Sequence, residues 1–117
     1  MKLYIDTADK NFLELSLEDK NKIIARRKIK TNFDQAEKLW PSLDKLLKSR
    51  KINPRQLEKI VVNNLGGSFT SLHIGIAIAN ALAFAWGVPA EDPQGGSKKI
   101  GGLQIVEPAY NRELKLG

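Results

Sequence analysis

The sequence predicts an α/β domain: a mixed sheet of four to five strands, three antiparallel and then one parallel, with two long helices. Three observations predict it. Residues 2–30 contain three apolar or alternating runs separated by short polar turns. Residues 31–49 carry apolar side chains at helical spacing. Ile60, Val61 and Val62 lead into Asn63-Asn64-Leu65-Gly66-Gly67-Ser68, after which an almost uncharged, alanine-rich segment runs to Trp86. That last stretch reads as a buried strand, a tight turn and a helix hidden on more than one side.

The strands come first. Leu3, Tyr4 and Ile5 form a compact strand, and Asp6-Thr7-Ala8-Asp9 closes it with side chains that bond to their own backbone. Residues 12–17 alternate Phe, Leu, Glu, Leu, Ser, Leu. Glu18-Asp19-Lys20-Asn21 is a polar turn, and residues 22–30 form a third strand with a basic outer part. Short turns between successive strands imply an antiparallel meander.

Thr31 is expected to open the first helix, with Asp34 three residues later in a near capping box. Ala36, Leu39, Trp40, Leu43, Leu46 and Leu47 fill one arc of it. Pro41 should bend the helix without breaking it, because the apolar stripe continues unshifted beyond it. Pro54 to Leu57 reads as a single helical turn, and residues 59–63 as a fourth strand. The second helix starts at Ser68 or Thr70 and stops at Gly87-Val88-Pro89. Residues 1–89 therefore form the lobe. Residues 90–117 read as a linker and a C-terminal tail, with one short strand over residues 103–106. The order βββ-α-β-α is the topology of a ribonuclease-H-like fold.

Charge and composition bound the function. The chain has 117 residues, a formal net charge of +6 and no cysteine, which allows one domain and no disulfide framework. Arg26-Arg27-Lys28, Lys48 to Lys51 and Lys98-Lys99 are scattered, without interleaved aromatic platforms. A solvated basic surface fits that pattern better than an independent nucleic-acid site. One histidine cannot assemble a zinc site, so no metal and no catalytic set is assigned. Asp6 arrives too early for a signal peptide, and a cytoplasmic protein without a membrane span is expected.

Two places can carry function. The turn at Gly66 and Gly67, between a strand end and a helix start, could hold a phosphate, and Asp6 and Thr7 after the first strand are further weak candidates. It lacks the glycine-lysine-serine/threonine ending of a P-loop. The second place is the second helix. Its wheel puts Ile74, Ile78, Leu82 and Ala85, with Ala81 and Ser71, toward the sheet. His73, Ile76, Ala77, Asn80, Ala83 and Phe84 then lie opposite, on a face whose polar members are neutral. Gly75, Ala79 and Ala83 are spaced by four, as are Ala77, Ala81 and Ala85. Small residues at that spacing let another helix approach. With Trp40 and Leu47 of the first helix, this face is the candidate partner interface.

The run Leu65-Gly66-Gly67-Ser68-Phe69-Thr70-Ser71-Leu72-His73-Ile74-Gly75 resembles the glycine signature of the TsaB (YeaZ) family. Ile5-Asp6-Thr7-Ala8 is similar to that family's opening, and Leu39-Trp40-Pro41-Ser42-Leu43 to its first helix. Val106-Glu107-Pro108-Ala109-Tyr110-Asn111-Arg112 is similar to its ending. Gly66, Leu65, Ser71 and His73 depart from the signature. The family's second actin-like lobe is not represented between Pro89 and the tail. The resemblance implies one lobe of the actin-like ATPase superfamily. It also implies a non-catalytic scaffold that pairs with and activates the paralogue TsaD, joined by the ATPase TsaE, in the complex that makes N6-threonylcarbamoyladenosine in tRNA next to the anticodon. No cofactor is implied for the scaffold, and tRNA contact is mainly indirect. The alternatives are a homodimer through the same helices, or a residual actin-like nucleotide-binding or ATPase domain using Asp6, Thr7, Gly66 and Gly67.

Overall fold

The structure, a computed structural model, describes residues 1–109. Tyr110, Asn111 and Arg112 of the expected tail lie outside the described residues. Three antiparallel strands open the chain: β1 (Lys2–Asp6), β2 (Phe12–Asp19) and β3 (Lys22–Lys30). The β2–β3 hairpin turns on Lys20 and Asn21, both at positive φ. That is the handedness a two-residue hairpin needs, and asparagine tolerates it well. Helix α1 (Gln35–Ser49) follows, then a one-turn 3-10 helix at Pro54–Gln56 and strand β4 (Lys59–Val62). Helix α2 (Phe69–Trp86) leads to β5 (Ala90–Glu91) and a separate hairpin of β6 (Lys98–Ile100) and β7 (Leu103–Ile105).

The main sheet has the order β3-β2-β1-β4-β5, with β4 and β5 parallel to β1. This is the ribonuclease-H-like arrangement. The position of β5 corrects the reading of residue 91 as linker: Ala90 and Glu91 pair with Ile60 and Val61 and form the sheet edge. Polar Asp92 to Gly96 supplies only the turn behind it, closed by bonds from Gln94 and Gly96 N–H to Asp92 Oδ1.

Both helices lie on one face of the sheet. Strand alternation sends Leu3, Ile5, Leu13, Leu15, Leu17, Ile60 and Val62 to that face, where Leu39, Leu43, Leu46 and Leu72 meet them. The other face is a ladder of cross-strand charges. Lys2 pairs with Glu18 at 3.3 Å, Arg26 with Glu14, and Lys59 with Glu91 at 3.2 Å. An antiparallel sheet with one wet face has this alternation.

Two helix expectations change. Thr31 is buried and its hydroxyl donates to the Lys10 carbonyl, so it ties β3 to the β1–β2 loop and does not cap α1. Asp34 takes the N-cap position, its carboxylate accepting from Asn32 N–H. The Asn32 N–H bond first, helped by Lys38 and opposed by desolvation, holds the Asp34 carboxyl below the usual carboxylate range. Helix α1 runs through Pro41 as a single element.

The face that α2 turns to the sheet also differs. Ser71, Leu72, Gly75, Ile76, Ala79 and Ala83 are buried, whereas Ile74, Ile78 and Leu82 are half-buried flanks and Ala81 and Ala85 are exposed. The small residues Gly75, Ala79 and Ala83 thus let α2 lie close on its own sheet. A helix that is apolar all round has no preferred side by composition, so periodicity could not choose.

Candidate functional site

The glycine turn is packed against the first strand's turn. Gly66 and Gly67 both have positive φ, and a Cβ on Gly67 would fall 2.1 Å from the Ala8 carbonyl oxygen. Ser68 N–H donates to that same oxygen at 2.8 Å. Thr7 is buried, and its hydroxyl donates to the Ser71 carbonyl; Gly75 lies directly over it. Asp6 accepts from Ala8 N–H at 2.9 Å and from the Asn63 side chain at 3.2 Å. Gln35, fully buried, donates from Nε2 to Asp9 O and to Ser71 Oγ.

These bonds hold together the β1 turn and the first turns of both helices. They also bear on the chain's phosphate candidates. Thr7 has its hydroxyl engaged and buried, and Gly67 has its open side filled by Ala8. Thr7 and the Cβ side of Gly67 are thus spent on contacts within the chain, while Gly66 has open space beside it.

The expected partner face divides in three. Leu47, Ile76 and Ala83 are 4%, 4% and 3% exposed and belong to the core; that part of the interface expectation is corrected. Their side chains fill the space between α1, α2 and the sheet. Asn80 is committed to the chain's own C-terminal segment: its Nδ2 donates to Val106 O at 3.0 Å and its Oδ1 accepts from Val106 N–H at 2.9 Å. Trp40, Ala77 and Phe84 are exposed, Trp40 by 53% and Phe84 by 69%. His73 is half-buried; its Nδ1 lies 3.0 Å from Phe69 O and its ring meets that of Phe69 at a tilt of 41°, centroids 4.3 Å apart.

What α2 turns outward is therefore the stripe Thr70, Ala77, Ala81, Phe84 and Ala85, with no charge on it. On α1, Trp40 stands almost opposite Lys38, whose ammonium reaches back to Lys30 O at the end of β3. Beside the C-terminal half of α2 is a cleft of about 330 Å³, lined by Phe84, Val88, Pro89, Leu103 and Ile105 among others. The sequence missed the occupants of this side. The signal was Asn80 itself, a lone amide in an apolar helix that needed a buried partner.

The sheet order, the paired helices on one face and the glycine turn define a ribonuclease-H-like lobe of the actin-like class. Residues 31–91 match the family model of TsaD, tRNA N6-adenosine threonylcarbamoyltransferase. That match covers more than half of the chain, and the chain belongs to this family. No curated protein matches it by sequence. Among solved structures it is similar to YeaZ from Pseudomonas aeruginosa, with a TM-score of 0.71 and 22% identity. The match covers 78% of this chain and 42% of that one. A Pseudomonas aeruginosa protein described as similar to peptidase YeaZ matches with the same score and identity, over 78% and 41% of the two chains. RuvC from Thermus thermophilus matches at a TM-score of 0.52 and 15% identity, over 78% and 61%. The structural likenesses show the fold. The chain spans less than half the length of the two YeaZ-like structures.

Proposed function

We propose that the chain is a non-catalytic, TsaB-type scaffold that pairs with TsaD and activates it in the synthesis of N6-threonylcarbamoyladenosine in tRNA. The observation that carries the reading is the charge-free outer stripe of α2, with Ala77, Ala81 and Phe84 exposed, together with the exposed Trp40 of α1. An apolar helix of 18 residues with mean hydropathy 1.5 and a third of its residues buried leaves apolar surface that a second protein can cover. Alanines at the centre of the stripe allow a partner helix to come close, and Trp40 and Phe84 supply the aromatic anchors that dominate such interfaces. A standard interface needs about 800 Å² per partner, which two helix faces of this length can supply. Family membership supports the pathway, and the filled Thr7 and Gly67 positions support a docking role over nucleotide chemistry. On this reading TsaE joins the pair and contact with tRNA runs mainly through TsaD.

The test is co-purification of the full chain with TsaD. Ala77→Arg puts a long cation at the centre of an exposed, apolar stripe. It is expected to abolish pairing while the thermal unfolding midpoint of the isolated chain stays within about 2 °C, as for surface changes generally. Pairing that survives Ala77→Arg together with Phe84→Asp overturns the assigned face. A self-associating wild type whose dimer is broken by Ala77→Arg, with no TsaD bound, makes the partner a second copy.

A further inference from the structure

Asn64 and Asn80 stand on different elements, one just after β4 and one in the middle of α2. Both spend their polar groups on main chain of the same short segment. The Asn80 side chain bonds both the N–H and the C=O of Val106. Two reciprocal bonds to one residue fix the amide's orientation and reproduce what a neighbouring strand would offer. Asn64 Nδ2 donates to Glu107 O at 2.9 Å, and Asn64 O accepts from Ala109 N–H at 2.8 Å. Between these bonds one side chain is buried, Val106 at 3% exposure. The hairpin before it is largely exposed and is flanked by Gly95-Gly96 and turned at Gly101-Gly102. The segment is thus seated by its backbone and one apolar side chain, not by the main sheet.

We propose that Asn64 and Asn80 form a peptide-binding site, which the chain fills in cis with residues 106–109. The ligand class is an extended peptide with a β-branched aliphatic residue whose N–H and C=O are both free for the Asn80 amide. Backbone reading supplies the affinity and the Val106 pocket the selectivity, as in other modes of extended-peptide capture. The cis occupant covers the flank of α2 next to Phe84, so seating and release of this segment set how much of the helix a partner meets. The site itself does not depend on which partner α2 has.

Amide hydrogen exchange on the full chain tests it. Asn80→Ala is expected to speed exchange at Val106 at least tenfold, with the amides of Leu3 and Ile5 in β1 unchanged. Asn80→Asp, which keeps the acceptor for Val106 N–H and loses the donor, should fall between. Unchanged exchange at Val106, or acceleration shared equally by β1, overturns the proposal. A second measurement uses Val106→Asp, which unseats the cis segment. A synthetic peptide Leu-Gln-Ile-Val-Glu-Pro-Ala should then shift the side-chain amide resonances of Asn64 and Asn80 saturably. No shift in a folded Val106→Asp chain overturns the proposal as well. If that variant does not fold, the peptide is titrated in excess into the wild-type chain, and the absence of any saturable shift of the same two resonances overturns the proposal.

Discussion

At the scale of single residues, close packing decides more than hydrogen-bonding type. Gly75 sits in a helix, where alanine is worth about 1 kcal/mol more than glycine. Here the Cβ of an alanine would lie 2.2 Å from Thr7 Oγ1. Overpacking of that kind costs roughly 1–3 kcal/mol, and displacing Thr7 also breaks its bond to the Ser71 carbonyl, worth about 1 kcal/mol. Gly75→Ala is therefore expected to destabilise the chain by about 1–3 kcal/mol, measured by urea unfolding. In a Thr7→Ala background the penalty should shrink, a coupling that a double-mutant cycle reads directly. An additive result would show that the two residues do not crowd each other.

At the scale of elements, α1 shows what tertiary contacts tolerate. Pro41 lies within the helix and its side chain is exposed. It removes one backbone bond and crowds a preceding carbonyl, yet Leu39, Leu43 and Leu46 remain buried on either side of it. Burial of those leucines outweighs a local cost of up to about 3 kcal/mol. Pro41→Ala should accordingly raise stability, by about 1–3 kcal/mol, with no core contact altered; a higher urea midpoint at constant slope would show it. A lower midpoint would mean that the proline sets the helix direction the core needs. Helix α2 is the contrary case. Its sequence gives no preferred side, and long-range contacts such as Gly75–Thr7, Gly67–Ala8 and Asn80–Val106 rotate it so that Ala77 and Phe84 face outward.

At the scale of the molecule, the sheet has one dry face and one charged face, and the charged face makes stability depend on pH. Tyr4 projects into the ladder beside Asp6 and Glu14. Burial first, then the negative charge of Asp6 and Glu14, push its phenol up to about 12 from 10.0. The fold prefers neutral Tyr4, so this stabilisation is complete below pH 10 and is lost as pH rises from 10 toward 12. Urea midpoints at pH 9 and pH 11.5 should diverge more for the wild type than for Tyr4→Phe, which has no phenol to ionise. Equal divergence in the two chains would show that other groups carry the alkaline loss.

The sequence by itself determined the class, the antiparallel run of β1 to β3 and the ends of α2. Alternation over β1 to β3, the apolar β4 and the Gly87 stop are local patterns, and local patterns survive folding because they are set by backbone sterics and burial of the nearest face. It also singled out the Asp6-Thr7 and Gly66-Gly67 turns and the apolar excess of α2. The tertiary structure decided what each of these is for. The two turns press against each other, so Thr7 and Gly67 meet groups of the chain itself. The edge strand Ala90–Glu91 is too short to show a period and exists only because β4 has a free side. The outward face of α2 follows from which small residues fit under Thr7 and from the seat that Asn64 and Asn80 give to Val106. These are contacts between residues from 26 (Asn80 and Val106) to 68 (Thr7 and Gly75) positions apart, and no periodicity within a single helix encodes them.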